Sequence, residues 1–367
     1  MKLLAIGDLI ISDKLMGEIF SQIKPFPAAL KRLCWTLKDK TELQRQRMIY
    51  EEKGPGAIRI PEKILKESCD SEILMVHFFP VSKELIFRSQ KLRIIGVARA
   101  GLENIDLEAA NQHGILVFNV KGRNAEAVSD FTIGLILAEL RNIARSHLAI
   151  MKGGWRKEYL NSGFMGVLKG KTVGIIGYGE IGKLVARKLK GFGVNTLVYD
   201  PFVSEIKIRE DGFEPVDLKK IFIDSDFVTV HARLTDDNKG FIGREQIFSM
   251  KKTAFFINTA RAGLVDNAAL IQALRKRIIG GAALDVFENE PLPENSPLRK
   301  LDNITLTSHL AGVTQDTYKL SVRILLEDIG RFLKREPPRN LVNKEISLSP
   351  SLKTWLSEIR NRMEEES

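Results

Sequence analysis

Three side chains with complementary chemistry each follow a short apolar run in the C-terminal half of the sequence: Arg261, Glu290 and His309. The apolar runs predict strands, and in an open parallel sheet ligands bind where the carboxyl ends of the strands meet. An imidazole exchanges protons near neutral pH, and a guanidinium matches a carboxylate through its planar fork. Together with Asp285, which ends the same run that precedes Glu290, they predict a site that binds an anion and transfers a proton. Taken singly, Arg261 also fits a surface ion pair, Glu290 a solvated loop acid and His309 a buried imidazole.

A glycine-rich turn supplies a second kind of chemistry. An apolar run ends at Gly177, Gly179 and Gly182, a helical pattern follows, and the next apolar run ends at Asp200. Gly177 permits a tight turn, Gly179 lets the backbone approach a pyrophosphate, and Gly182 lets the helix pack on the strand. The amides at the start of the helix then face the phosphates. Asp200 is placed to bond both ribose hydroxyls and would repel a 2′-phosphate, so the pattern predicts NAD rather than NADP.

The elements that must position these residues are those of an alternating α/β chain. Apolar runs predict strands at residues 3–6, 73–79, 92–97, 115–119, 172–176, 196–199, 227–231, 254–258, 281–286 and 304–308. Helical spacing predicts helices at 128–151, 267–276 and 314–334, an extra helix near 40–52 in a charged segment at 25–61, and a tail with Leu352, Trp355, Leu356, Ile359 and Met363 on one helical face. At 367 residues the chain is too long for one ordinary core. We therefore expect an α/β protein of two Rossmann-like or flavodoxin-like domains, each a doubly wound parallel sheet, with a deep cleft between them.

Composition argues against several functional classes. The 44% hydrophobic and 28% charged content suits a soluble enzyme, and no apolar run approaches the roughly 20 residues that span a bilayer. Cys34 and Cys69 are too few for a disulfide framework or a metal cluster, so we expect no metal and a cytoplasmic location. The first 12 residues are typical of a strand rather than a signal peptide. The net charge of +10 favours anionic partners, but the cations are dispersed, which favours small anions over nucleic acid.

Five stretches carry a resemblance to a known family: 99-RAGLENIDLEAANQHGILVFN-119, 177-GYGEIG-182 with Asp200, 258-NTARAGLVD-266, 281-GAALDVFENEP-291 and 306-LTSHLAG-312. Over roughly residues 90–335 the sequence resembles the D-isomer-specific 2-hydroxyacid dehydrogenases and is most similar to their phosphoglycerate dehydrogenase-like members. The resemblance implies an NAD-dependent oxidoreductase that moves a hydride between nicotinamide and a D-2-hydroxy acid or 2-keto acid.

The resemblance also implies a role for individual residues. Arg261 would bind the substrate carboxylate and polarise the carbonyl, His309 would be the general acid/base, and Glu290 would hold and tune the imidazole. The implied cofactor contacts, beyond the glycine turn and Asp200, are Glu180, Ile181, His231, Ala232, Thr259, Ala260 and Asp285, the last beside the nicotinamide carboxamide. The expected domains are a discontinuous substrate-binding domain at 1–123 and 315–345, an NAD-binding Rossmann domain at 124–314, and a C-terminal tail at 346–367.

The expected substrate site lies in the first domain. The resemblance implies that the backbone amides of Ala100 and Gly101 help to hold the substrate carboxylate. Arg99, Lys121 and Arg123 lie near the predicted cleft, where a cluster of cations suits a substrate with a phosphate or a second carboxylate, such as 3-phosphoglycerate. The alternative for these three cations is ordinary solvated charge.

Some positions depart from the family pattern, and other functions stay open. Ser308 stands where the family often has Pro, and Arg233 either extends over the adenine or its phosphates or points to solvent. An NAD-binding regulatory protein of the corepressor kind and a phosphite dehydrogenase-like enzyme are the alternatives. Glu290 argues against a formate dehydrogenase, which pairs its histidine with glutamine.

We also expect a homodimer built on the helix at 128–151, which is apolar on more than one face near residues 133–140. The apolar face of the tail is expected to pack on the body or on a second subunit.

Overall fold

The computed structural model describes residues 1–23, 28–346 and 349–365, and the chain divides into two compact units. The first unit comprises Met1–Arg123 with Thr314–Ser367, and the second comprises Asn124–Val313. None of the helices in the described ranges is long and apolar enough to cross a membrane.

Strands and helices alternate along the chain, as the apolar runs predict. The strands are β1 Lys2–Gly7, β2 Ala29–Cys34, β3 Ile73–Val76, β4 Ile94–Val97, β5 Leu116–Phe118, β6 Thr172–Ile176, β7 Asn195–Tyr199, β8 Glu214–Pro215, β9 Phe227–Val230, β10 Phe255–Asn258, β11 Gly281–Leu284 and β12 Ile304–Leu306. The α-helices are α1 Asp13–Gln22, α2 Lys40–Lys53, α3 Glu62–Ser68, α4 Lys83–Arg88, α5 Leu107–Gln112, α6 Ala125–Arg141, α7 Ile143–Met151, α8 Glu180–Lys190, α9 Glu205–Glu210, α10 Leu218–Asp224, α11 Arg244–Phe248, α12 Asn267–Arg275, α13 Gln315–Leu333 and α14 Pro350–Glu365.

The first unit is built on a parallel five-stranded sheet in the order β2-β1-β3-β4-β5. Both faces of its central strands are covered, which is why β3 and β4 are continuous buried apolar runs. On one face, apolar residues of α2 including Leu43 and Tyr50 join the core. On the other, α13 and α14 pack on the sheet.

The second unit is built on a parallel seven-stranded sheet in the order β12-β11-β10-β9-β6-β7-β8. The strand order reverses at β6, which pairs with β7 on one side and β9 on the other. A dinucleotide binds at such a reversal in doubly wound sheets, outside the carboxyl ends of the strands. The predicted α/β class with parallel sheets is confirmed in both units.

The single helix predicted at residues 128–151 is wrong in its middle. α6 ends at Arg141 and α7 begins at Ile143, because Asn142 between them is left-handed, with φ +55°. Asparagine tolerates this conformation better than most residues. The buried side chain of Asn142 donates to Oδ1 of Asn161 at 2.7 Å, so a tertiary contact fixes the break.

The charged segment at 25–61 holds both an expected and an unexpected element. The helix predicted near 40–52 is confirmed as α2. Strand β2 was not predicted, because Lys31 and Arg32 interrupt its apolar residues and the strand is largely exposed at the sheet edge. Residues 25–27 of this segment lie outside the described residues.

The amphipathic tail is confirmed as a helix that packs on the body. Leu352, Trp355, Leu356 and Ile359 of α14 are buried in the core of the first unit, and Met363 packs at its margin.

Candidate active site

The glycine turn joins β6 to α8, and two of its three glycines have a steric reason within the chain. Gly177 has φ +94°, and a Cβ there would meet the amide of Ala232 at 2.6 Å. A Cβ on Gly182 would collide with the carbonyl oxygen of Gly177, so the helix approaches the strand closely. The Cβ position of Gly179 faces open space, with no atom within 4 Å.

The amino terminus of α8 opens onto the same space. Gly179 caps the helix without a side-chain hydrogen bond, and the first helical hydrogen bond is donated by Lys183 at 3.0 Å. The amides of Glu180 and Ile181 therefore precede the helical ladder and are available to a ligand. Uncovered backbone and free amides at a helix start fit the pyrophosphate of a dinucleotide.

Asp200 directly follows β7 and is held against the turn. Its Oδ2 accepts from the amide of Tyr178 at 2.6 Å, and its Oδ1 accepts from the amide of Phe202 at 2.8 Å. These bonds fix the orientation of the carboxylate, and each oxygen keeps a lone pair for a ribose hydroxyl.

His231 follows β9, beside the turn. Its amide donates to the carbonyl of Ile176 at 2.7 Å, and Nε2 of its ring lies 3.0 Å from the hydroxyl of Thr229. Burial lowers the pKa of His231 to about 3, so the ring is neutral at physiological pH. Nδ1 is buried and makes no hydrogen bond with the described residues. Arg233, two residues on, is exposed.

Arg261 is positioned by an asparagine that sequence reasoning did not select. Asn258, the last residue of β10, accepts from the amide of Ala260 at 2.9 Å and donates to the carbonyl of Arg261 at 3.1 Å. This side-chain turn is characteristic of asparagine at a strand end. The guanidinium of Arg261 is exposed and donates only to the carbonyl of Ala260, at 2.7 Å, within the described residues. Thr259 is buried, 3.0 Å from the hydroxyl of Thr132.

His309 and Glu290 are brought into direct contact. Nδ1 of His309, after β12, lies 2.7 Å from Oε2 of Glu290, after β11. Glu290 is itself held, because its Oε1 accepts from the amide of Phe287 at 3.0 Å. His309 has φ +54°, a conformation that costs a non-glycine residue about 1–3 kcal/mol and clusters at functional sites. Both side chains remain partly open to solvent.

Asp285 is completely buried at the end of β11 and binds the loop that carries His309. Its Oδ1 accepts from the hydroxyl of Thr307 at 2.6 Å and from the amide of Leu310 at 2.9 Å. Its Oδ2 accepts from the amide of Ala311 at 2.9 Å. The contact with a nicotinamide carboxamide stays a prediction, whereas the contacts with the histidine loop are direct.

β12, β11 and β10 are neighbours in one sheet. His309, Glu290 and Arg261 therefore follow the carboxyl ends of three adjacent strands. Only Glu290 and His309 touch; Arg261 hydrogen-bonds to its own loop. The arrangement can transfer a proton through an imidazole with a carboxylate behind it, beside an exposed guanidinium for an anion.

The predicted substrate residues of the first unit divide into two groups. Arg99 pairs with Glu103 at 2.8 Å, and Arg123 donates to the hydroxyl of Ser321 at 2.9 Å. The amides of Ala100 and Gly101 make no hydrogen bond with the described residues, so both are free for a ligand.

Lys121 is exposed and has no hydrogen bond or ion pair in the described part of the chain. It therefore does not join the other two cations.

Comparison with known proteins connects this geometry to a family. Residues 133–311 match the family model described as the NAD-binding domain of D-isomer-specific 2-hydroxyacid dehydrogenases. The chain is 39% identical over 285 residues to D-3-phosphoglycerate dehydrogenase of Methanocaldococcus jannaschii, which covers 77% of this chain and 53% of that protein. The chain thus spans about half the length of that relative.

Two further likenesses cover most of both chains. The chain is 36% identical over 299 residues to glyoxylate reductase of Korarchaeum cryptofilum, covering 81% of this chain and 90% of that protein. The NAD-complexed D-isomer-specific 2-hydroxyacid dehydrogenase of Lactobacillus delbrueckii ssp. bulgaricus shares the fold, with a TM-score of 0.75 at 21% identity, covering 94% of this chain and 100% of that one. The chain therefore belongs to the D-isomer-specific 2-hydroxyacid dehydrogenases, a family of NAD-dependent oxidoreductases.

Proposed function

We propose that this chain interconverts a D-2-hydroxy acid and its 2-keto acid with NAD, and that the acid carries a phosphate, as D-3-phosphoglycerate does. The observation that carries the reaction class is the contact between His309 and Glu290 at the sheet edge that also carries the glycine turn. Relatives named D-3-phosphoglycerate dehydrogenase and glyoxylate reductase support the same class.

The His309–Glu290 pair accounts for the proton. With its hydrogen on Nδ1, the imidazole donates to Glu290 across 2.7 Å and leaves the Nε2 lone pair free. During oxidation Nε2 accepts the hydroxyl proton of the substrate, and Glu290 stabilises the imidazolium that forms. In the reverse direction the same proton returns to the forming alcohol. When bound, NAD supplies the hydride acceptor.

Arg261 accounts for the orientation of the acid. Its guanidinium uses one nitrogen on its own loop, and the remaining N–H groups can hold a carboxylate bidentately. A carboxylate held in this way fixes the adjacent carbon, from which the hydride leaves.

Arg99 and Arg123 support a second anionic group on the substrate. Burial, and then the charge of Arg99, lower the pKa of Arg123 to about 10, so the group stays cationic at neutral pH. Arg123 has no ion pair within the described residues, whereas Arg99 has Glu103. A phosphate would offset charge that the protein itself leaves uncompensated.

The test is a substrate panel on the purified protein with NAD, followed by the absorbance of reduced nicotinamide. D-3-phosphoglycerate should give a kcat/KM at least about tenfold above those of D-glycerate and D-lactate, since one charge-assisted contact is worth 1.4 kcal/mol or more. Equal rates on all three acids would reject the phosphate assignment.

Two other outcomes would replace the proposal. Activity on phosphite alone would indicate the phosphite dehydrogenase alternative. NAD binding without turnover of any acid, in either direction, would favour a regulatory protein.

A further inference from the structure

Helix α2 lies in the charged segment between β2 and β3 and carries one arginine between two residues of the first unit's core. Asp39 caps the helix by accepting from the amide of Glu42 at 2.9 Å. Leu43, Arg47 and Tyr50 follow at i, i+4 and i+7, which is one face of a helix. Leu43 and Tyr50 are buried in the core, whereas Arg47 between them is 29% exposed and donates through Nη1 to Oε1 of Gln44 at 3.1 Å.

The guanidinium of Arg47 lies on the same aromatic ring as that of Arg99. Their Cζ atoms are 4.3 Å and 4.9 Å from the centroid of the Phe78 ring. Phe78 comes two residues after β3 and Arg99 two residues after β4, and these strands are adjacent and parallel. The helix therefore brings a cation to the edge where the strands end, beside one already predicted to bind substrate.

The charge at this edge is only partly balanced. Arg47 has Glu51 at 3.6 Å, and Arg99 has Glu103 at 2.8 Å; these glutamates are 40% and 49% exposed. A third carboxylate, Asp8, accepts from the amide of Phe78 at 2.9 Å and pairs with His77 instead of with an arginine.

Two donors at this edge are also unused. Nε of Arg47 and the hydroxyl of Tyr50 are buried and find no hydrogen-bond partner among the described residues. Burial raises the pKa of Tyr50 to about 12, with Arg99 and Arg47 opposing, so the hydroxyl keeps its proton at neutral pH. Unpaired buried donors are costly, and a ligand with several acceptor oxygens would satisfy them.

We propose that Arg47 and Tyr50 of α2, together with Arg99, bind the phosphate of the substrate. A phosphate carries a charge near −2 at neutral pH and three acceptor oxygens, which suits two guanidinium groups and one phenol. The inference rests on the proposed function, since it names the group that selects the substrate of that reaction. It makes α2 a specificity element.

The test replaces Arg47 by methionine, which keeps the stem against Phe78 and removes the charge. For D-3-phosphoglycerate, Arg47→Met should raise KM about 10- to 100-fold with kcat within about twofold, as expected for loss of one charged hydrogen-bonding group. For D-glycerate, KM should not change. Tyr50→Phe should raise KM for the phosphorylated acid by a smaller factor, about 3- to 10-fold.

Arg45→Met is the matched control, since Arg45 lies on the same helix but is 64% exposed and pairs with Glu42. It should leave both KM values unchanged. Inorganic phosphate, titrated calorimetrically, supplies a readout independent of turnover: it should bind the wild type and Arg45→Met, and bind Arg47→Met at least tenfold more weakly.

The two proposals fail separately. If D-3-phosphoglycerate is oxidised but Arg47→Met leaves its KM unchanged, the role of α2 is wrong and the reaction stands. If no acid turns over while phosphate binding depends on Arg47, the anion site stands and the reaction is wrong. Equal phosphate binding by the wild type and Arg47→Met overturns the inference.

Discussion

At the residue scale, the proposed reaction depends on a single imidazole. We expect His309→Gln to lower kcat by about 10²- to 10⁴-fold, the usual contribution of a positioned acid or base. NAD affinity should stay within about twofold, because the glycine turn and Asp200 are untouched. Steady-state kinetics and fluorescence titration with NAD measure the two quantities. Glu290→Gln should cost less than His309→Gln, since an amide oxygen still accepts from Nδ1 across 2.7 Å but carries no charge. Near-normal kcat in the histidine variant would reject the assignment.

Cofactor choice also depends on one residue. We expect Asp200→Asn to reduce the ratio of kcat/KM for NAD to that for NADP by about tenfold, because removing the carboxylate charge relieves its repulsion of a 2′-phosphate. Asparagine keeps an acceptor oxygen for the amide of Tyr178, so the turn should survive. Asp211→Asn is the control. Asp211 lies just after α9 and contacts the hydroxyl of Tyr178, whereas Asp200 contacts the amide of Tyr178. An unchanged ratio in Asp200→Asn would contradict the NAD assignment.

A pH effect on stability follows from His231. Its pKa is about 3 in the folded state and near 6.5 when unfolded, so between these values the unfolded chain binds the extra proton. The free energy of unfolding should therefore fall as the pH drops from about 6.5, by at most about 1.4 kcal/mol per pH unit from this group. Burial also lowers the pKa of His77, which adds a dependence of the same sign. Urea titrations at pH 7 and pH 5 should show a smaller drop for His231→Gln than for the wild type. The exposed His113→Gln should match the wild type, and an unchanged drop in His231→Gln would contradict the prediction.

Sequence reasoning identified functional residues that directly follow a predicted strand. It missed residues whose position depends on contacts with other parts of the chain. His309, Glu290 and Arg261 each follow an apolar run, so their placement follows from the parallel sheet alone. Arg47 sits in a helix whose direction only the packing of Leu43 and Tyr50 reveals.

At the element scale, the loop after β12 is held by one buried carboxylate. Asp285 accepts three hydrogen bonds from this loop, so Asp285→Ala would leave two amides and a hydroxyl without their partner. We expect the free energy of unfolding to fall by about 2–4 kcal/mol. We also expect kcat to fall with it, because His309 sits inside the released loop. Urea unfolding and steady-state kinetics measure both.

Thr307→Val removes only one of the three bonds. It should lower the free energy of unfolding by about 1 kcal/mol and lower kcat less than Asp285→Ala does. An Asp285→Ala enzyme with wild-type kcat would show that the loop needs no anchor.

Strands and helices could be predicted from the sequence where buried apolar residues recur at regular spacing. The central strands are apolar because both of their faces are covered, and their predicted ends lie within three residues of the observed ones. The edge strands β2 and β8 lack that signal. The break between α6 and α7 depends on the contact of Asn142 with Asn161, which is 19 positions away and leaves no periodicity in the sequence.

At the scale of the whole molecule, part of the helix on which a dimer is expected lies inside the second unit. Ile133, Leu135, Ile136 and Leu140, which made the helix apolar on several faces, are buried in the second unit's own core. In this part of the chain, exposed apolar side chains lie on α7 and just beyond it: Ile143, Leu148, Ile150, Met151 and Trp155. Met151 and Trp155 are 71% and 80% exposed, and contiguous exposed apolar surface marks interaction sites.

We propose that α7 pairs with the same helix of a second copy, since a two-fold contact is the commonest way to cover such a patch. Light scattering during size-exclusion chromatography should give twice the 41.3 kDa chain mass for the wild type. Leu148→Glu should give the single-chain mass, because a carboxylate buried at the contact would lose its hydration without gaining a partner. Ile206→Glu, at an exposed apolar position on α9 in the same unit, should remain dimeric. A wild type that elutes as one chain would refute the dimer, whereas a dimeric Leu148→Glu would place the contact on another surface.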